Sequence, residues 1–178
     1  MSDKPLLESS FPALANHCAR ILILGSMPSI KSLQQQQYYA HPRNAFWPIM
    51  AELFHFDKTL PYKKRCQVLI KNNIAVWDAI KTCHRPGSLD QNIDSTSMIA
   101  NDFNVFFEIH PNIEQILFNG AKAEQVFNRH VLATLNVQQA NISRLRLPSS
   151  SPAHAAMTLE HKSQIWRQSL AINHTNIL

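Results

Sequence analysis

The chain has 178 residues, 45% of them hydrophobic, with a formal net charge of +5 and three cysteines far apart at Cys18, Cys66 and Cys83. That length suits one domain with a full core, and no apolar stretch is long enough to span a bilayer. The cysteines form neither a disulfide framework nor a C-x-x-C knuckle, and Met1-Ser2-Asp3-Lys4-Pro5 lacks the basic and apolar regions of a leader, so a cytoplasmic, cofactor-free protein without a metal is expected.

The run Ile21-Leu22-Ile23-Leu24 ends at Gly25 and predicts a buried strand feeding a tight turn, where open α/β sheets place their ligands. An irregular polar loop follows, Ser26-Met27-Pro28-Ser29, and then Tyr38-Tyr39-Ala40-His41-Pro42-Arg43. Asn44 stands at the door of an aromatic-rich helix over residues 44–54. Flat rings beside amide and imidazole groups are the tools for holding a planar heterocycle, so this stretch points to nucleobase chemistry. Further on come a helix over 62–71, a strand over 74–77 ending at Asp78, and a helix over 99–110. A strand over 113–118 runs into Asn119-Gly120, followed by a helix over 121–132. The last strand, 142–147, ends at Pro148-Ser149 before a helix over 154–171. Alternating strands and helices predict a mostly parallel sheet covered on both faces, an α/β fold of the three-layer α/β/α sandwich kind. Gly25-Ser26, Asp78, Asn119-Gly120 and Pro148-Ser149 then converge on the C-terminal edge of the sheet.

Several familiar motifs are absent. No G-x-G-x-x-G follows Gly25, and Gly25-Ser26-Met27-Pro28-Ser29 is not the G-x-S-x-G of a nucleophile elbow. The nine histidines, at positions 17, 41, 55, 84, 110, 130, 154, 161 and 174, match no zinc spacing. In Leu147-Pro148-Ser149-Ser150-Ser151-Pro152, Ser151 suits a helix N-cap and Pro152 the first helical position. The same hydroxyl-rich loop at a helix N-terminus would cradle an anion such as a DNA phosphate. Lys31, Arg43, Lys81, Arg85, Lys122, Arg144 and Arg146 lie in or beside these loops, which favours a polyanionic partner over a merely solvated basic surface.

Taken together, Gly25-Ser26-Met27-Pro28-Ser29, the segment from Tyr38 through Asn44-Ala45-Phe46-Trp47, and the serine loop resemble the uracil-DNA glycosylase superfamily. Its hypoxanthine-DNA glycosylase branch is the most similar, with Gly87-Ser88-Leu89-Asp90 and Phe118-Asn119-Gly120-Ala121-Lys122-Ala123 as further matches, over residues 18–170. The resemblance implies a four-stranded parallel sheet, capture of a flipped base, and hydrolysis of its N-glycosidic bond without a metal. By the same resemblance Tyr39 stacks on the base. Asn44 positions the attacking water, since Met27 stands where most members carry an Asp or Asn; a helix N-cap is its other reading. Asp78 accepts the N–H of hypoxanthine or uracil, with a helix cap or a salt bridge to Lys81 as equal alternatives. Asn119 reads the base or braces its loop. Gly25, Ser26, Met27 and His41 complete the base pocket. Lys31, Arg43, Ser149, Ser150, Ser151 and His154 face the DNA. Ser149 replaces the histidine that opens this motif elsewhere in the superfamily, leaving room for a two-ring base. Ala153 is short for a wedge, so His154 is the candidate to fill the vacated stack. The expected partner is double-stranded DNA with a deaminated or mispaired base, single-stranded DNA remaining open, and the expected state is a monomer. A mismatch-type uracil/thymine glycosylase and a non-catalytic flipped-base binder are the alternatives.

Overall fold

A computed structural model describes residues 7–171. In chain order they form β1 (Glu8–Ser9), β2 (Ile21–Gly25), α1 (Ile30–Gln35), α2 (Phe46–Leu53), α3 (Tyr62–Lys71), β3 (Ile74–Asp78) and β4 (Ile80–Cys83). β5 (Ile99–Ala100), α4 (Phe103–Ile109), β6 (Gln115–Asn119), α5 (Ala121–His130), α6 (Val137–Ala140), β7 (Ser143–Leu147) and α7 (Leu159–Ala171) follow. The main sheet has four parallel strands in the order β3-β2-β6-β7.

The apolar runs explain why this sheet is central. β2 is buried along its whole length, because its side chains alternate between two cores. Leu22 and Leu24 pack with Phe103, Phe106 and Phe107 of α4 and Val126 and Phe127 of α5. Ile21 and Ile23 pack with Phe46, Ile49 and Met50 of α2, Leu69 of α3 and Trp166 of α7. Helices therefore cover both faces, and the α/β/α sandwich read from the sequence stands. β7 is an edge strand whose Ser143-Arg144-Leu145-Arg146 is exposed, charged on an edge that must not pair further.

The structure departs from the expected elements in three places. The segment 99–110 is not one helix: Ile99–Ala100 pairs with β4, and α4 starts after Asp102, whose carboxylate accepts the Val105 N–H at 3.2 Å. β1, β4 and β5 make a small antiparallel sheet with no counterpart in the sequence reading. The last helix begins at Leu159 rather than at 154, behind Thr158, whose hydroxyl accepts the His161 N–H. Ser151 and Pro152 consequently lie in a turn rather than at a helix N-terminus, and the helix-borne anion cradle is withdrawn. His174 and the opening Met1-Ser2-Asp3-Lys4-Pro5 lie outside the described residues. Among the described residues, no helix is long and apolar enough to cross a membrane.

Candidate active site

The C-terminal ends of the parallel strands bring the loops together. In the sheet register Gly25 lies opposite Asp78, and Asn119 opposite Leu147. A cleft of about 270 Å³ opens there, and Gly25, Ser26, Met27, Tyr39, Asn44, Asp78, Asn119, Ser149, Ser150, Ser151 and His154 all line it. Segments far apart in sequence thus meet at one site.

Gly25 is required by close approach rather than by its dihedral angles. A Cβ at this position would sit 2.8 Å from Asp78 Oδ1 and 3.2 Å from the Tyr39 hydroxyl. Tyr39 itself has a positive φ of 56°, and its ring stacks on Phe46 with centroids 4.0 Å apart. Phe46 thus backs a ring that also lines the cleft. The loop carrying Tyr39 is held by Trp47, whose indole N–H donates to the Tyr38 carbonyl at 2.9 Å, and by Ser32, whose hydroxyl accepts the Ala40 N–H. The Asn44 side-chain carbonyl accepts the Phe46 N–H at 2.9 Å, so the residue both caps the approach to α2 and lines the cleft. The N-cap position of α2 is Ala45, so Asn44 makes a turn just ahead of the helix rather than being its N-cap.

The second motif is bolted to the first. The Ala45 N–H donates to the Ser150 carbonyl at 2.9 Å. Asn119 grips the same serine from both ends of its amide: its Nδ2 donates to Ser150 Oγ, and its Oδ1 accepts the Ser150 N–H, each at 2.8 Å. Gly120, at φ 99°, leaves just enough room for Ser149, against which a Cβ would come within 3.0 Å. Lys162 donates from α7 to the His154 carbonyl at 2.8 Å, fixing the far end of the loop.

Asp78 is 3% exposed, and its Oδ2 is buried without a hydrogen-bond partner, as is the Tyr39 hydroxyl. Among the described residues no ion pair involves it, and Lys81 is exposed, so the salt bridge does not form. Nor does Asp78 cap a helix, since it ends β3. Burial pushes its carboxyl up to about 8, with Arg85 opposing the shift and Asp90 reinforcing it. The neutral acid is therefore the main form at neutral pH, rather than the anion expected of an N–H acceptor.

Other residues fall outside the cleft or were missed. His41, Lys31 and Arg43 do not line it; His41 Nδ1 accepts the Arg43 N–H at 3.2 Å and shapes the loop. Arg85 is not a surface cation. It is buried, pairs with Glu8 at 2.7 Å, and donates to the carbonyls of Met27 and Pro28. Arg146 pairs with Glu124 at 3.3 Å. Asp90, to which the sequence reading gave no role, lines the cleft and accepts the Ser26 hydroxyl at 2.7 Å. Its only signal was the Gly87-Ser88-Leu89-Asp90 match. Among the described residues, no three His, Cys, Asp or Glu side chains gather to hold a metal ion.

A parallel sheet whose strand ends carry a stacked aromatic, an amide and a braced serine loop defines a class of base-handling α/β proteins. Residues 12–170 match the family model described as the Uracil DNA glycosylase superfamily, and the chain belongs to that superfamily. It is 37% identical over 119 residues to a protein of Methanosarcina acetivorans named hypoxanthine DNA glycosylase, covering 66% of this chain and 74% of that one. Its Methanosarcina barkeri namesake is 34% identical over 117 residues, covering 65% and 73%. The solution structure of a Methanosarcina acetivorans protein, provisionally named a uracil DNA glycosylase, superposes with a TM-score of 0.74 at 30% identity. That match covers 93% of this chain and 99% of the other.

Proposed function

We propose that this chain is a monofunctional DNA glycosylase, working as a single-domain monomer, that hydrolyses the N-glycosidic bond of deaminated bases in double-stranded DNA. Hypoxanthine is the preferred base and uracil a second substrate. The observation that carries the reading is the meeting of Tyr39, Asn44 and Asp78 with a braced serine loop in one cleft. A duplex hides the reacting bond, so the base must be flipped into such a pocket, most cheaply when it is mispaired. Tyr39, backed by Phe46, offers a ring for the base to stack on. Asn44, with its carbonyl oriented by the Phe46 N–H, holds the water that attacks the sugar. Ser149, small beside Gly120, leaves width for a two-ring base. The relatives named for hypoxanthine support that preference. Free thiols at Cys18, Cys66 and Cys83 fit a reducing, cytoplasmic setting.

The test is release of free base from matched duplex oligonucleotides bearing inosine, uracil, xanthine, thymine or adenine. Hypoxanthine should leave fastest and uracil more slowly, with thymine and adenine untouched. Asn44→Ala should slow release by roughly 10²–10³-fold with DNA binding retained, because phosphate contacts carry most of the affinity. Tight binding of inosine DNA without any base release would instead define a non-catalytic flipped-base binder.

A further inference from the structure

Two carboxyl groups, Asp78 and Asp90, line the cleft, and their surroundings differ. Asp78 is almost fully buried, with one oxygen shut off from solvent and lacking any donor. The groups that act on it electrostatically are Arg85 and Asp90, both from the segment after β4. Tyr38 and Tyr39 feel its charge from the loop before α2. The one cation, Arg85, is spent on Glu8 and on the carbonyls of Met27 and Pro28. An anion in this place would be an unpaired buried charge, which a carboxyl avoids by keeping its proton. Asp90 is only partly buried, accepts a 2.7 Å hydrogen bond from Ser26, and has Arg85 and, from α5, Lys122 favouring its charged form. Burial is the largest influence and leaves Asp90 above its ordinary value as well, with the Ser26 hydroxyl, Arg85 and Lys122 opposing the rise.

Hydrolysis needs both forms. An amide such as Asn44 orients water but does not take its proton, so a separate base is required. Hypoxanthine leaves more readily when it departs neutral than as an anion, so an acid is useful. Resting on the glycosylase reading above, we propose that Asp78 and Asp90 are an acid–base pair: Asp78, buried with an oxygen that no donor reaches, protonates the departing purine, and Asp90, bonded by the Ser26 hydroxyl in the same cleft, accepts the proton of the attacking water. Pairs of carboxyls in unlike environments take such divided roles in other hydrolases. The C1′–N9 bond breaks with its electron pair going to the base, while N7 of hypoxanthine receives the Asp78 proton. Water oxygen bonds to C1′ and its proton passes to Asp90. Neutral hypoxanthine and an abasic sugar result. Exchange with solvent then returns a proton to Asp78 and removes one from Asp90, so one water is consumed and no other reactant is needed.

The experiment is a set of single-turnover pH profiles on inosine and uracil duplexes for the wild type, Asp78→Asn and Asp90→Asn. The wild-type inosine profile should be bell-shaped, falling on the alkaline side as Asp78 loses its proton and on the acid side as Asp90 gains one. Asp78→Asn should erase the alkaline limb and slow inosine by roughly 10²-fold or more, the range for a general acid, and slow uracil less, because uracil has no N7. Asp90→Asn should erase the acid limb with a comparable loss on both substrates. Should a variant fail to fold, the wild-type alkaline limb is set beside the pH dependence of inosine-duplex binding, and release lost at a pH where binding persists decides the matter. Base release at a rate that stays flat through alkaline pH, or variants whose profiles parallel the wild type, would overturn the pair and leave the glycosylase reading standing. A wild type that captures the DNA and releases no base would remove both.

Discussion

At the scale of single residues, Tyr39 shows most clearly how packing and the proposed base stacking share one side chain. Its backbone occupies the left-handed region at φ 56°, which L-residues with large side chains seldom adopt. Contact with Phe46 and burial of the phenol hold it there. The hydroxyl makes no hydrogen bond of good geometry, although the Asn119 amide lies close enough to act on it, so its burial costs desolvation with little return. Tyr39→Phe should therefore keep the activity and match or exceed the wild type in stability. Tyr39→Ala should weaken capture of the flipped base by about 1–3 kcal/mol, the range for one base–aromatic stack. Binding and single-turnover release on inosine duplexes check both, and a Phe variant as impaired as Ala would assign chemistry to the hydroxyl.

At the scale of elements, the serine loop depends on β6 through Asn119. Ser150 is 1% exposed and gets two hydrogen bonds from that one amide. Asn119→Ala should cost about 1–3 kcal/mol in denaturant unfolding, because buried polar groups of Ser150 lose their partners. Base release should fall with it, since the Ala45 link ties the loop to the Asn44 segment. Slower release with unaltered stability would make Asn119 a reader of the base instead. The same scale explains what the sequence disclosed. Three of the four main strands were legible because apolar runs end abruptly at Gly25, Asp78 and Asn119; the fourth alternates Leu with Arg and stops at Pro148. β1 and β5 span two residues each, too short for any periodicity to register. α7 was placed too early because Ser151-Pro152 has the composition of a helix start, although the chain turns there and uses Thr158. In the site, Gly25, Ser26, Met27, Tyr39 and Asn44 of the long first motif line the cleft, whereas His41 and Arg43 do not. Asp90 was missed, because a lone carboxylate in a polar loop has no pattern until the fold sets it beside Ser26.

At the scale of the whole molecule, the raised carboxyl of Asp78 links stability to pH. Its folded value of about 8 lies above the ordinary 3.8, so the folded state holds a proton that the unfolded chain has released. The associated stability is full below about pH 4 and is lost as pH rises through the folded value. The slope approaches about 1.4 kcal/mol per pH unit in that window. Asp57 and Asp94 are lowered by bonds from Thr59 and Thr96, so they act in the opposite sense and at more acid pH, whereas Asp90, also raised by burial, acts in the same sense as Asp78. Denaturant unfolding at about pH 5 and about pH 8 should show a more stable protein at the lower value, and Asp78→Asn should reduce the difference. A variant whose pH dependence parallels the wild type would place the effect elsewhere.

The buried guanidinium of Arg85 has a reach beyond its own loop. One arm meets Glu8 on the short strand β1, and others grasp the carbonyls of Met27 and Pro28 in the wall of the cleft. Glu8 is thus a distant keystone for a pocket it never touches. A shortened protein beginning at Ser10 would strand a cation in the interior without its counter-ion. The wall over the bound base would lose its tether, and catalysis would fade in a molecule whose every substrate-contacting residue was intact.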